Sequence, residues 1–497
     1  MNRIATRSII PAFLAITSAL ASSCTVPLAP GYRILKESSE VRFTPGPPPE
    51  LQVNVSYTLR NSGTSSLSFV DVIFPDEKLY GRKSLRIKVD GHDITPGKLP
   101  EELQQESPEA LRIPLDPVWE RKQGRSLTIE YAFSSPSDEG MRITLASDNF
   151  HLSSRGWLPL PQPPKRILAP YPVRPQKTTY SVRVPVNFLV LARGTPLGRK
   201  KDGGEIEYRF QLRKAELPPF MVAGRYVDSA ANRGSTSVSF WTFEPLKQDP
   251  AIAAQRIAAA WSTLQKDFGP LDKNITSPHV IECPELRADV QNSDDHGENA
   301  VASFPGGVLV RTLADGLGSD ELLLQMNEAL AHSWFREQIY PAANAAIGLG
   351  QGLSNYATIV MAEASGGESA RRNRVIEFLR AYQDAVKQAA GTPNAEKAII
   401  STMPYDPIDQ RRMARSKAAL FFIALEDAYG EEPVRRGLTD VVALLRGEQV
   451  GYEDVRSALE HSTGKDLGEP FRVWLYTVGI PKDFSDRYAF AATNGGE

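Results

Sequence analysis

Glu328 and His332 stand four residues apart in NEALAHSWF, a stretch whose Leu323, Met326, Leu330 and Trp334 recur every three or four positions. That period predicts a helix, and residues four apart on a helix share a face. A carboxylate and an imidazole on one face could hold a Zn²⁺ or Mn²⁺ ion between them. The stronger arrangement is H-E-x-x-H, two imidazoles on the metal with the intervening carboxylate polarising the bound water. Here the five residues are Glu328, Ala329, Leu330, Ala331 and His332, so a carboxylate replaces the first imidazole and a methyl group replaces the base. Gln351, nineteen residues after His332, carries a neutral amide and is a poor metal ligand.

Two readings of His332 stay open: a helix histidine satisfied by a polar neighbour, or half of a nonstandard metal site completed by His296, Asp294 or Asp295. Ser333 beside it makes no hydrolase dyad, because adjacent helix residues do not face each other. No G-x-S-x-G turn, phosphate loop or dinucleotide fingerprint occurs. His92, His151, His279 and His461 are scattered and form no second cluster.

EALAHSWF and GQGLSNY together resemble the aminopeptidase N family of zinc metallopeptidases, the gluzincins. That family's helix reads HELAHQWF, with a third ligand, the Glu of NEG, nineteen residues after the second His. The resemblance implies first-ligand, base, second-ligand and third-ligand positions at Glu328, Ala329, His332 and Gln351. Glu298 and Asn299 fall where the family's G-x-M-E-N strand binds the substrate's amino group, although a solvated acidic turn accounts for them equally. ARSKAALFFIALE resembles the segment holding the family's oxyanion-stabilising Tyr, whose position is Arg415 here; Tyr405, ten residues earlier, serves only with a register change. An Arg415–Glu328 ion pair filling the vacated metal site is the expectation.

The flanking elements follow from pattern. From about Val41 to Val227, alternating runs such as LQVNVSYTLR, LTIEYAF, YSVRVPVNFLVLA and EIEYRFQLR, broken by Pro and Gly, predict antiparallel sheet. Beyond Phe243, helices are predicted at about 249–267, 319–338, 350–364, 367–390, 411–429, 432–446, 452–463 and 468–477. The fold class is therefore α+β: an amino-terminal antiparallel β domain over 25–245, then a mostly helical domain over 246–490, which the resemblance implies is thermolysin-like (gluzincin). The resemblance implies that the family's carboxy-terminal helical repeat domain is absent.

Residues 1–24 carry Arg3 and Arg7 ahead of an apolar run, Ile9 to Ala21, too short to span a bilayer and typical of an export signal. ASSC ending at Cys24 resembles a bacterial lipoprotein box, which implies a lipid anchor on Cys24 in the periplasm or outer membrane; plain cleavage after Ala21 is the rival. With 57 basic and 59 acidic residues the net charge is −2, which excludes an electrostatic nucleic-acid partner. The four replaced positions point to a noncatalytic envelope protein that keeps the cleft for a peptide, a chain end or a protein partner, with no cofactor. The alternative is a working zinc metallo-aminopeptidase with an altered site.

Overall fold

The computed structural model describes residues 31–74, 84–98, 110–133, 143–153, 157–161, 175–212, 220–247, 249–271, 275–286, 301–313, 317, 319–404 and 406–489. The first half is sheet. Strands β1 (Tyr32–Thr44), β2 (Glu50–Asn61), β3 (Arg86–Val89), β4 (His92–Ile94), β5 (Gly124–Phe133), β6 (Lys177–Pro185), β7 (Thr195–Asp202) and β8 (Glu205–Leu212) form one sheet. Its order is β7-β8-β6-β1-β2-β5-β3-β4. Alternate residues of β2 are buried and exposed along its length, the signature of a sheet with one face on a core and the other in water.

Two four-stranded sheets complete that core. One contains Asn149–Leu152 and Met221–Gly224, the other Leu67–Ile73 and Ala110–Trp119. Phe43, Trp119, Phe133, Phe150 and Trp157 are fully buried between the layers. The predicted antiparallel pairing holds except at the centre, where β1 runs parallel to β6 with Val41 opposite Val182. The single long strand expected at YSVRVPVNFLVLA is two, Lys177–Pro185 and Leu189–Ala192, which enter different sheets.

A five-stranded sheet underlies the second half: β9 (Val227–Arg233), β10 (Thr236–Thr242), β11 (His279–Glu282), β12 (Val301–Phe304) and β13 (Gly307–Val310), in the order β9-β10-β11-β13-β12. Its first two strands precede residue 246, and Val238 and Phe240 belong to the helical core. The helical architecture thus begins inside the run whose alternation reads as more of the first domain.

Helices α1 (Ala251–Phe268), α2 (Asp320–Phe335), α3 (Leu353–Ala389), α4 (Ile408–Tyr429), α5 (Glu431–Leu444), α6 (Tyr452–Thr463), α7 (Gly468–Leu475) and α8 (Lys482–Ala489) follow. The break expected between the helices at 350–364 and 367–390 is present inside the span Leu353–Ala389 as a kink at Gly367, whose φ of 67° and ψ of −163° are non-helical and readily adopted only by glycine. Between α2 and α3 lies a π-helical segment, Ala346–Gly352. Among the described residues no helix is long and apolar enough to cross a membrane.

Candidate functional site

Helix α2 is set by its own ends and by its neighbours. Ser319 caps it, accepting a hydrogen bond from the Leu322 amide at 3.3 Å, and Asp320 and Glu321 complement the dipole in the first turn. Ser333 anchors the other end to the β12–β13 turn: its hydroxyl donates to the Phe304 carbonyl at 3.1 Å and accepts from the Gly306 amide at 3.2 Å. That bond pair is the work Ser333 does. Trp334 donates to the Gly269 carbonyl at 2.8 Å, where α1 ends, and Phe335 meets Phe268 edge-on at 5.0 Å between ring centroids.

Held in this way, α2 presents Glu328, partly buried, and His332 one turn on. The Nε2 atom of His332 is shielded from water and has no hydrogen-bond partner. Burial, aided by the Arg336 guanidinium, holds this imidazole well below its ordinary pKa, so it is neutral at physiological pH. Ala329, next to Glu328 in the same turn, contributes a methyl group, 6% exposed.

The π-helical segment that carries Gln351 lies against α2 and α4, because glycines on either side of Gln351 permit close approach. A Cβ at Gly352 would lie 2.4 Å from Ala418 Cβ and 3.5 Å from the Arg415 carbonyl oxygen; one at Gly350 would meet Arg336 Cγ at 3.4 Å. π-Helical turns recur at functional sites. The π-helical segment that carries Gln351 therefore packs on both the end of the helix bearing Glu328 and His332 and the helix bearing Arg415. The protein around the Arg415 guanidinium pushes its pKa down to about 10, which leaves it charged at neutral pH. Glu328 and Arg415 both make side-chain interactions, so neither is free. Glu298, Asn299, His296, Asp294, Asp295, Tyr405 and Cys24 lie outside the described residues.

A ring of charge behind the site went unread in the sequence. Glu426 of α4, 3% exposed, accepts hydrogen bonds from Tyr356 Oη at 2.6 Å, Arg435 Nε at 2.8 Å and Arg371 at 2.9 Å. Arg435 also reaches Glu363 at 2.5 Å. These contacts tie α3, α4 and α5 together directly behind the π-helical segment. An acid ending the apolar run ALFFIALE was the one available signal.

No family model and no curated protein matches the chain. Solved structures do: a sheet-rich first half before a helical second half is the architecture of two-domain M1 zinc metallopeptidases, the aminopeptidase family. The chain is similar to the M1 zinc metallopeptidase of Deinococcus radiodurans, with TM-score 0.61 and 16% identity over 91% of this chain and 95% of that one. It is similar also to a point mutant of that enzyme, with TM-score 0.62 and 16% identity over 91% of this chain and 96% of the other. For the mutant bound to a Tyr-Ser-Ala substrate the TM-score is 0.59, at the same identity and coverage.

The zinc that such a fold implies does not fit the residues described here. Among them no three His, Cys, Asp or Glu side chains converge as a metal-binding group. A three-ligand zinc site draws on imidazoles, thiolates and carboxylates, and here an imidazole, a carboxylate and a neutral amide occupy the adjoining elements.

Proposed function

We propose that the protein is an exported, noncatalytic member of the peptidase fold that binds a peptide, a chain end or a protein partner in the cleft beside α2. The observation that carries this is Ala329. General-base assistance in hydrolysis is typically worth about 10²–10⁴-fold, and a buried methyl group supplies none. Gln351 and Arg415, at the third-ligand and oxyanion positions, weaken metal binding and oxyanion stabilisation in the same direction. A peptide occupant is supported by the fold-mate in complex with Tyr-Ser-Ala. Acylation of Cys24 after signal cleavage would tether the chain to the envelope, and Cys24→Ala is then expected to move it from the membrane fraction to the soluble one.

One observation favours a second reading, a metallo-aminopeptidase with a nonstandard site: His332 Nε2 is neutral and unpartnered, the state of an imidazole ready to ligate. Zinc per chain and turnover of an aminoacyl fluorogenic substrate separate the two. The noncatalytic reading expects neither in the wild type. It also expects Glu328→His with Gln351→Glu to gain stoichiometric zinc without turnover, and the further changes Ala329→Glu and Arg415→Tyr to give weak hydrolysis. Wild-type protein that carries one zinc and cleaves the substrate overturns it.

A further inference from the structure

At the junction of the two halves, away from α2, the π-helical segment and α4, lies a cavity of about 260 Å³. One wall is the start of the strand Asn149–Leu152 with Asp148 before it. The others are the segment leaving β10 and the segment leaving β11. Four carboxylates line it, Asp148, Glu244, Glu282 and Glu285, against the single cation of Lys247 among its described lining residues.

Three of these carboxylates are already held by hydrogen bonds. Glu282, 8% exposed, accepts from the Phe243 amide and from the Leu313 amide, each at 3.1 Å, and so fixes the linker to the five-stranded sheet. Asn149 Nδ2 donates to Asp148 Oδ1 and to Glu285 Oε2, each at 3.2 Å, holding those carboxylates together.

Asn149 itself is the independent sign of an occupant. It is 1% exposed, and its Oδ1 atom has no hydrogen-bond partner. A buried amide oxygen without a donor is destabilising, and this one lines a cavity rich in carboxylate acceptors, where the Lys247 ammonium is the one charged donor among the described lining residues. The missing component is a hydrogen-bond donor carrying positive charge. Phe243, Leu246 and Pro284 supply an apolar wall beside the carboxylates. No group of three or more metal-binding side chains converges there among the described residues, and the volume far exceeds the roughly 10–15 Å³ that one water needs.

We propose that this cavity binds a primary ammonium or guanidinium carried on an apolar stem, either a free aliphatic amine or the Lys or Arg side chain of a polypeptide. The carboxylates pair with the cation, Asn149 Oδ1 takes one of its N–H groups, and the stem lies along Phe243 and Leu246. This site does not depend on the cleft reading, and either can fail alone.

The test is titration calorimetry of the full chain at low salt with cadaverine, with N-acetyl-lysine amide and with N-acetyl-norleucine amide, which lacks the charge. Cadaverine binding more tightly than the lysine derivative identifies a free amine as occupant; the reverse order identifies a polypeptide side chain. Glu244→Gln with Glu285→Gln removes two carboxylates at partly or fully exposed positions and should weaken binding roughly ten- to a hundredfold, as expected for losing charge-assisted hydrogen bonds. The proposal is overturned if neither amine binds at millimolar concentration, if the norleucine derivative binds equally well, or if a folded double variant, checked by circular dichroism, binds as the wild type does.

Discussion

In the β-rich half, Glu37 is 3% exposed and its Oε1 atom has no hydrogen-bond partner; in the helical half, Glu426 is equally buried and takes hydrogen bonds from three side chains. Burial pushes Glu37 up to about 8, so it is mostly a neutral acid at pH 7 inside a packed β core. His151, its counterpart among the bases of that half, is pushed down to about 3 by burial and has an unpartnered Nδ1. The helical half instead surrounds its acid with Arg371 and Arg435, both drawn further above the ordinary range by Glu426. The difference teaches where charge can be removed. An isolated buried ioniser is neutralised by its surroundings and is replaceable, whereas a networked one holds its partners' charges in balance.

The largest effect expected from this contrast is at Glu426. Glu426→Gln leaves two buried guanidinium groups undercompensated and should cost about 3–5 kcal/mol, read as a lower midpoint in urea unfolding of the helical half. A loss below 1 kcal/mol would mean that Glu363, paired with Arg435, and Asp427, 3.7 Å from Arg371, carry the network without it.

Glu37→Met should do the opposite in a pH-dependent way. Folded Glu37 keeps its proton up to about pH 8, while the unfolded chain releases it near 4.5. Its contribution to stability is therefore full below pH 4.5 and is lost as pH rises through 8. The substitution should stabilise the protein more at pH 8 than at pH 5, by about 3–4 kcal/mol. Equal effects at the two pH values would show that Glu37 is paired and ionised.

The smallest effect is at His151. Its unfolded pKa near 6.5 lies above the folded value of about 3, so its stability contribution is present above pH 6.5 and lost as pH falls toward 3. His151→Phe, tilted toward Phe220 as the imidazole is at 5.5 Å, should shrink acid destabilisation between pH 6.5 and 4 by about 3 kcal/mol. The unfolding midpoint across that range measures it.

Helix α2 was legible in full, because its information is local. Leu323, Met326, Leu330 and Trp334 repeat at the helical period, Ser319 caps the first turn, and the four-residue step from Glu328 to His332 places both on one face whatever surrounds them. That Ala329 carries only a methyl group and Gln351 a neutral amide is written in residue type and needs no coordinates. The order of sheet before helices was likewise readable, since periods of two and of three to four differ in the sequence.

What tertiary structure alone decided is who meets whom. Val227–Thr242 alternates like the strands before it, yet its partner is His279–Glu282, some forty residues on, and that choice moves the strands into the helical half. The parallel seam between β1 and β6 joins segments more than a hundred residues apart, and alternation is the same for parallel and antiparallel neighbours. Glu426 finds Arg371 fifty-five residues before it and Arg435 nine after. The packing on α4 of the π-helical turn that carries Gln351 depends on a close approach to Ala418. A side chain's period is a property of its own strand or helix, but the free energy that selects its partner comes from desolvating two distant surfaces together, and no local pattern records that.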